Sequence, residues 1–346
     1  MDEREKFCIM ILQSTYDEVS NAISNKENEY KFFKIPKKNG YRDIWYLDDK
    51  SNIRKYQSSL TDNFFSRYSI PVVVKGFVKD ENYFSFLKEH VRSNYFLRID
   101  IKNFFGSIKF KHFQKFMHET SSFNDENYDE TINLIWEIIS YNDILVQGTV
   151  SSPVVSNLIF RRIDQRILKY CQELGIKYTR YADDLLFSSN SFDFINKKWF
   201  LRKIAYILKE NGFFINYSKI KCCYQQISLN GFVISNKDIR LSRKRFKDIN
   251  QVVWFINNNN IDTIKEKDKF FNQFHTIDFT KKTKYDEIDT FYKLLQFLCG
   301  YRSFLIGCLK EYELSSKNKR KINNLLKKIE KCISKIINKQ YPSYNL

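Results

Sequence analysis

The run KYTRYADDLLFSS (177–189) sets Asp183 and Asp184 side by side within an otherwise apolar and aromatic stretch. Adjacent carboxylates repel, and burying either one unpaired costs enough free energy to force it to take up a proton. A positive charge must therefore meet them. A third carboxylate, Asp100, ends the apolar run YFLRID (95–100). Three carboxylates at strand ends could converge on two divalent cations about 3.5–4 Å apart, the arrangement that supports in-line phosphoryl transfer. Such hard oxygen donors suit Mg²⁺, with Mn²⁺ as a substitute. Asp48-Asp49 is the contrast: the same dipeptide lies in a polar turn without apolar flanks and reads as solvated.

The elements around these acids follow from periodicity. In YFLRIDI (95–101), Leu97, Ile99 and Ile101 share one strand face, and Arg98 and Asp100 the other. Two further strands flank a turn at Ala182-Asp183. A helix is predicted from about 154 to 174, with Val155, Leu158, Ile159, Ile163 and Ile167 inward and Gly175 as its stop. Another is predicted near 192–210, ending at Gly212. Residues 32–47 read as a hairpin around Asn39-Gly40, 108–140 as mostly helical, and 227–235 as a short β element. Beyond Ser242 the pattern turns helical and lysine-rich, closing with a basic amphipathic helix over 317–339. A boundary is expected near 240.

Across 346 residues, 58 Lys and Arg oppose 40 Asp and Glu, a formal charge of +18 that suits a polyanionic partner. The 22 Tyr and 32 Phe add rings able to stack on unpaired bases, although most must be core. Seven cysteines form no C-x-x-C pair and only four histidines are present, which argues against structural zinc and for reduced thiols. No apolar run is long enough to span a bilayer, so a cytoplasmic protein without a membrane partner is expected.

FLRIDIKNFFGSI (96–108), QGTVSSPVVSN (147–157), YTRYADDLLFSS (178–189), GFFINYSKIK (212–221) and SLNGFVIS (228–235) stand in one order. In that order they resemble the reverse transcriptases, above all the retron-type bacterial group, over about residues 30–245. The resemblance implies an α+β right-hand polymerase fold. Its N-terminal region and fingers would occupy 1–95, an antiparallel-sheet palm 96–240 with a fingers insertion at about 108–145, and a helical basic thumb 241–346. It implies two Mg²⁺ ions held by Asp100, Asp183, Asp184 and the Ile101 carbonyl, with Lys219 protonating the leaving pyrophosphate. Lys38 and Arg42 would meet the triphosphate, Arg42 through its bidentate fork. Phe105 would exclude a 2′-hydroxyl, Gln147 would contact the incoming nucleotide, and Gly148 would let the backbone approach it. Leu229, Asn230 and Gly231 would grip the primer. Implied partners are a structured non-coding RNA template, the cDNA product, dNTPs and an effector protein encoded nearby, with room for oligomerisation and a role in antiphage defence. Phe86–His90 and Leu229–Gly231 keep only the histidine and the glycine of two retron elements, so defence-associated relatives fit as well. The alternatives are a vestigial RNA-binding scaffold of a defence ribonucleoprotein, and a palm-fold cyclase or RNA polymerase, which would not need a bulky residue at 105.

Overall fold

The computed structural model describes residues 3–36, 40–120, 128–259, 267–279, 285–310 and 314–340. Lys38 and the Asn39 turn position lie outside the described residues. The chain divides into two compact units, one of residues 1–86 and 95–222 and the other of 87–94 and 223–346. The division falls between Cys222 and Cys223, where the sequence suggested 240, because the small sheet that follows packs with the C-terminal helices. No disulfide joins the cysteines. Among the described residues no helix is long and apolar enough to cross a membrane.

In the first unit, β1 (Tyr30–Pro36) and β2 (Tyr41–Leu47) form the expected antiparallel hairpin, in register from Tyr30 opposite Leu47 to Pro36 opposite Tyr41. β3 (Tyr95–Asp100), β4 (Lys177–Tyr181) and β5 (Asp184–Ser189) belong to a four-stranded sheet in which β5 lies between β4 and β3, antiparallel to both, and the short strand Lys221–Tyr224 lies on the other side of β3. Leu97, Ile99, Leu185 and Phe187 belong to the hydrophobic core, with Val155, Leu158, Ile163 and Ile167 of the helix Ser152–Glu173. Ile159, expected inward, is only half-buried. That helix carries Pro153 in its first turn and ends as predicted. Gly175 takes φ +62°, and the Ile176 N–H reaches back to the Cys171 carbonyl at 2.9 Å, closing a Schellman motif. The helix predicted from 192 begins only at Trp199. Asp193 accepts the Ile195 N–H at 2.8 Å and holds the preceding residues in a turn.

The second unit holds β6 (Gln226–Leu229), β7 (Phe232–Ser235) and β8 (Ile239–Leu241), an antiparallel meander. Among the described residues four helices follow, Arg243–Asn258, Lys267–His275, Phe291–Lys310 and Ser316–Gln340. Ser242 caps the first, accepting the Arg245 N–H at 3.3 Å. The last buries Ile322, Leu325, Ile329, Cys332 and Ile336 at helical spacing and leaves its lysines outward, matching the expected basic amphipathic helix. Phe232 lies 5.8 Å from Phe304, and the Arg245 guanidinium sits 4.5 Å over the Phe304 ring, which ties the meander to these helices.

Candidate active site

Strand pairing fixes the acids. Asp100, the last residue of β3, stands opposite Asp184, the first of β5, and Asp183 occupies the turn between β4 and β5. The Ile101 N–H donates to the Asp183 carbonyl at 2.9 Å, closing the sheet beyond its last pair. On the other edge the Asn216 N–H donates to the Asp100 carbonyl and the Lys102 N–H to the Phe214 carbonyl, both at 2.8 Å. The Ile101 carbonyl, directly after Asp100 in the chain, accepts no hydrogen bond from another described residue.

Cations answer two of the carboxylates. Lys219, from the short turn Tyr217–Lys219, donates to both oxygens of Asp100 at 3.0 and 2.9 Å. Arg98 Nε donates to Asp184 Oδ1 at 2.9 Å, its Nη2 bonds the same oxygen, and Nη2 lies 3.6 Å from Asp100. Asp183 has no ion-pair partner among the described residues. Burial and then the Asp100 charge push its carboxyl up, while Lys219 and Arg42 pull it down. Burial pushes Asp184 up to about 6 against the pull of Arg98. Among the described residues no three His, Cys, Asp or Glu side chains close into a metal-holding cluster. The expected acidic trio thus stands as neighbours, with Lys219 and Arg98 drawing Asp100 and Asp184 into ion pairs. The donor set still fits a divalent cation: hard carboxylate oxygens, a peptide carbonyl, and a half-buried carboxyl on Asp183 that Lys219 and Arg42 influence without bonding it.

The nucleotide-side expectations divide. Arg42, in β2, is near enough to act on Asp183. Phe105 is half-buried, 6.1 Å from Phe77, while Phe104 is core, packed on Phe160 and Phe213. The Gln147 carbonyl accepts the Trp45 N–H at 2.9 Å. Gly148, at φ +116°, presses on the Trp45 carbonyl so closely that a Cβ would collide with it. Its close approach is thus to the β1–β2 hairpin. Of the primer-grip residues, all in the second unit, Leu229 is 2% exposed and packs in the core of the meander. Asn230 and Gly231 of the three reach the surface.

Three functional supports escaped the motif reading. Arg98 was placed on the Asp100 face by strand alternation, but nothing marked it as the partner of Asp184. Arg180 is wholly buried, bonds Asp164 through Nε and Nη2 at 2.9 and 2.7 Å, and donates from Nη1 to the Ala182 carbonyl at 3.1 Å. Tyr178 completes the network by donating to Asp164 at 2.7 Å. Gly76 lies against the same turn: a Cβ there would meet the Ala182 nitrogen at 2.6 Å. Asn157 holds Gly76 in place by donating to its carbonyl at 2.9 Å. Only the tight spacing of RYADD hinted that Arg180 serves the turn.

The family described as reverse transcriptase (RNA-dependent DNA polymerase) matches residues 34–272. The chain is similar to the Retron Ec86 reverse transcriptase of Escherichia coli, 28% identical over 232 residues that cover 66% of this chain and 70% of that protein. It is 31% identical to the Retron Ec73 reverse transcriptase of the same organism over 215 residues, 59% of this chain and 67% of the other. Among solved structures, apo telomerase from Candida tropicalis truncated from its C-terminal domain aligns with TM-score 0.43 and 13% identity. That alignment covers 66% of this chain and 60% of the telomerase chain.

Proposed function

The chain belongs to the reverse transcriptase (RNA-dependent DNA polymerase) family and to its right-hand polymerase fold, and on that premise we propose that it synthesises DNA on a structured RNA template. The observation that carries the reading is Asp183, half-buried on the turn between β4 and β5 beside Asp100, with no cation bonded to it among the described residues. Asp100, Asp183 and the Ile101 carbonyl would hold the divalent ions, and Asp184, locked by Arg98, would fix the turn and add charge. Bound Mg²⁺, or Mn²⁺ in its place, supplies activation of the primer hydroxyl and neutralisation of the charge that builds on the transferred phosphate.

The side chains have separable tasks. Arg42 offers a planar fork to the triphosphate, with Lys38 as a second positive charge. Lys219 carries a proton to the departing pyrophosphate once it leaves Asp100. Phe105 closes the space a ribose 2′-hydroxyl would need, Gln147 orients the incoming base, and Asn230 and Gly231 position the primer strand. The resemblance to retron and defence-associated enzymes supports a cognate non-coding RNA, a nearby effector protein and an antiphage role, to be read by sequencing the nucleic acid that co-purifies with the chain.

The direct test is incorporation of labelled dNTPs by the full chain on a primed RNA template with Mg²⁺, with and without chelator. Extension that chelator abolishes is expected. RNA binding without extension under either Mg²⁺ or Mn²⁺ would instead make the chain a scaffold. Phe105→Ala sharpens the site assignment: ribonucleotide incorporation should rise by about tenfold or more, the size of one removed steric contact. Unchanged sugar selectivity places the gate elsewhere.

A further inference from the structure

The helix Trp199–Glu210 buries Phe200, Ile204, Ile207 and Leu208 and turns Tyr206 outward, 52% exposed. The following segment buries Phe213 and Ile215 and turns out Phe214 and Tyr217, 55% and 67% exposed. The inward residues are explained by the core. The outward rings are not, and all three line one groove of about 760 Å³, with Lys203 5.5 Å over the Tyr206 ring and the Tyr206 hydroxyl bonded to Glu210. Isolated exposed rings are ordinary, whereas several facing one groove mark a contact surface.

The rest of the lining says what kind. Lys102, Arg202 and Lys209 rim the groove, all exposed and without a carboxylate partner among the described residues. The nearby acid Glu210 is already held by Arg166 at 2.6 Å. Rings interleaved with unpaired cations are the composition that binds an unpaired nucleic-acid strand, bases stacking on the rings and phosphates meeting the cations. A protein segment seated on the same rings would leave these cations without counter-charge. Asn103, also in the lining, and the Tyr217 hydroxyl add hydrogen-bonding groups suited to a ribose 2′-hydroxyl.

We propose that this groove is a second nucleic-acid site, separate from the carboxylate site, that holds a single-stranded segment of RNA. The inference rests on the polymerase reading only for choosing a nucleic acid over other polyanions. Lys102 ties the two sites together, since its N–H bonds the Phe214 carbonyl two residues after Asp100. The groove therefore offers a place for an unpaired portion of the RNA beside the centre that copies another portion.

The test uses the full chain saturated with a pre-annealed primer–template hybrid, so that the polymerase site is filled. Binding of a labelled, unstructured single-stranded RNA is then measured across a salt series. Tyr206→Ala/Phe214→Ala should weaken it by about tenfold per ring, the size of one base's stacking. Arg202→Glu/Lys209→Glu should flatten the salt dependence, and gives a second route if the ring variant fails to fold. Extension of the hybrid should persist in both variants, and its loss in the wild type would count against the polymerase reading rather than the groove. Single-strand affinity unchanged by both variants, an equal loss for duplex RNA, or DNA of the same sequence bound as tightly as RNA would each overturn the proposal.

Discussion

Two hairpin turns of this protein look alike locally and are made in opposite ways. Ala182-Asp183 joins β4 to β5, with Tyr181 opposite Asp184. Asn230-Gly231 joins β6 to β7, with Leu229 opposite Phe232. Both rely on left-handed backbone: Ala182 has φ +54°, Asn230 +42° and Gly231 +87°. At Asn-Gly the residue types favour that conformation by themselves, so the turn is encoded where it sits. An alanine gains nothing from it and costs about 1–2 kcal/mol relative to ordinary backbone. The Ala182-Asp183 turn is held instead by side chains and packing: Arg180 bonding the Ala182 carbonyl, Asp164 of the Ser152–Glu173 helix bonding Arg180, and Gly76 pressing on the Ala182 nitrogen. Strain kept by the surroundings is what a site needs when one carboxylate must stay in place without a partner of its own.

The comparison can be tested in order of expected effect. Asp183→Asn removes the unpaired charge that the first turn exists to place. Nucleotide incorporation should fall by about a thousandfold or more, with RNA affinity in a filter-binding assay unchanged. Activity within about tenfold of wild type would move the chemistry to other residues. Arg180→Met leaves Asp164 buried and unpaired, and should lower unfolding free energy in urea by about 3–5 kcal/mol. Arg180→Met/Asp164→Leu should recover most of that loss, and a double variant no better than the single would mean that the ion pair does not carry the effect.

The two glycine–alanine exchanges then sharpen the contrast by sign. Gly231→Ala forces a side chain into left-handed backbone, against an Arg245 nitrogen 2.7 Å from the new Cβ, and should cost about 1–2 kcal/mol. Ala182→Gly relieves strain at the Ala182-Asp183 turn and should raise stability by about 0.5 kcal/mol, less than the full relief because the unfolded chain also gains freedom. Thermal unfolding of the two variants side by side reads both signs. A destabilised Ala182→Gly would show that the turn is not strained.

This contrast also marks what the sequence made legible. The Asp100 strand, the Asp183 turn, the Ser152–Glu173 helix with its Gly175 stop and the basic final helix were all visible, because local periodicity and turn chemistry specify them. Asp100 and Asp183 were found by motif order, and Arg98 was at least placed on their face by alternation. The partnership of Asp164 with Arg180 was invisible, since an ion pair between a helix and a strand has no local signature. Gly148 read as a glycine where the backbone approaches the incoming nucleotide, and its packing against the Trp45 carbonyl, about a hundred positions away in the chain, had no local signal. Leu229 was named with its motif, and its burial in the meander was not legible, because a motif names a segment while packing chooses single side chains within it.

The stacking of Asn157 on Gly76 and of Gly76 on Ala182 reaches beyond stability. Position 76 has no room for an added methyl against Ala182, and its carbonyl is held by Asn157, so these three positions far apart in the chain are tied through one glycine. In any lineage of such proteins, residues 76, 157 and 182 should be inherited as a set, and a change at one should appear together with a change at another.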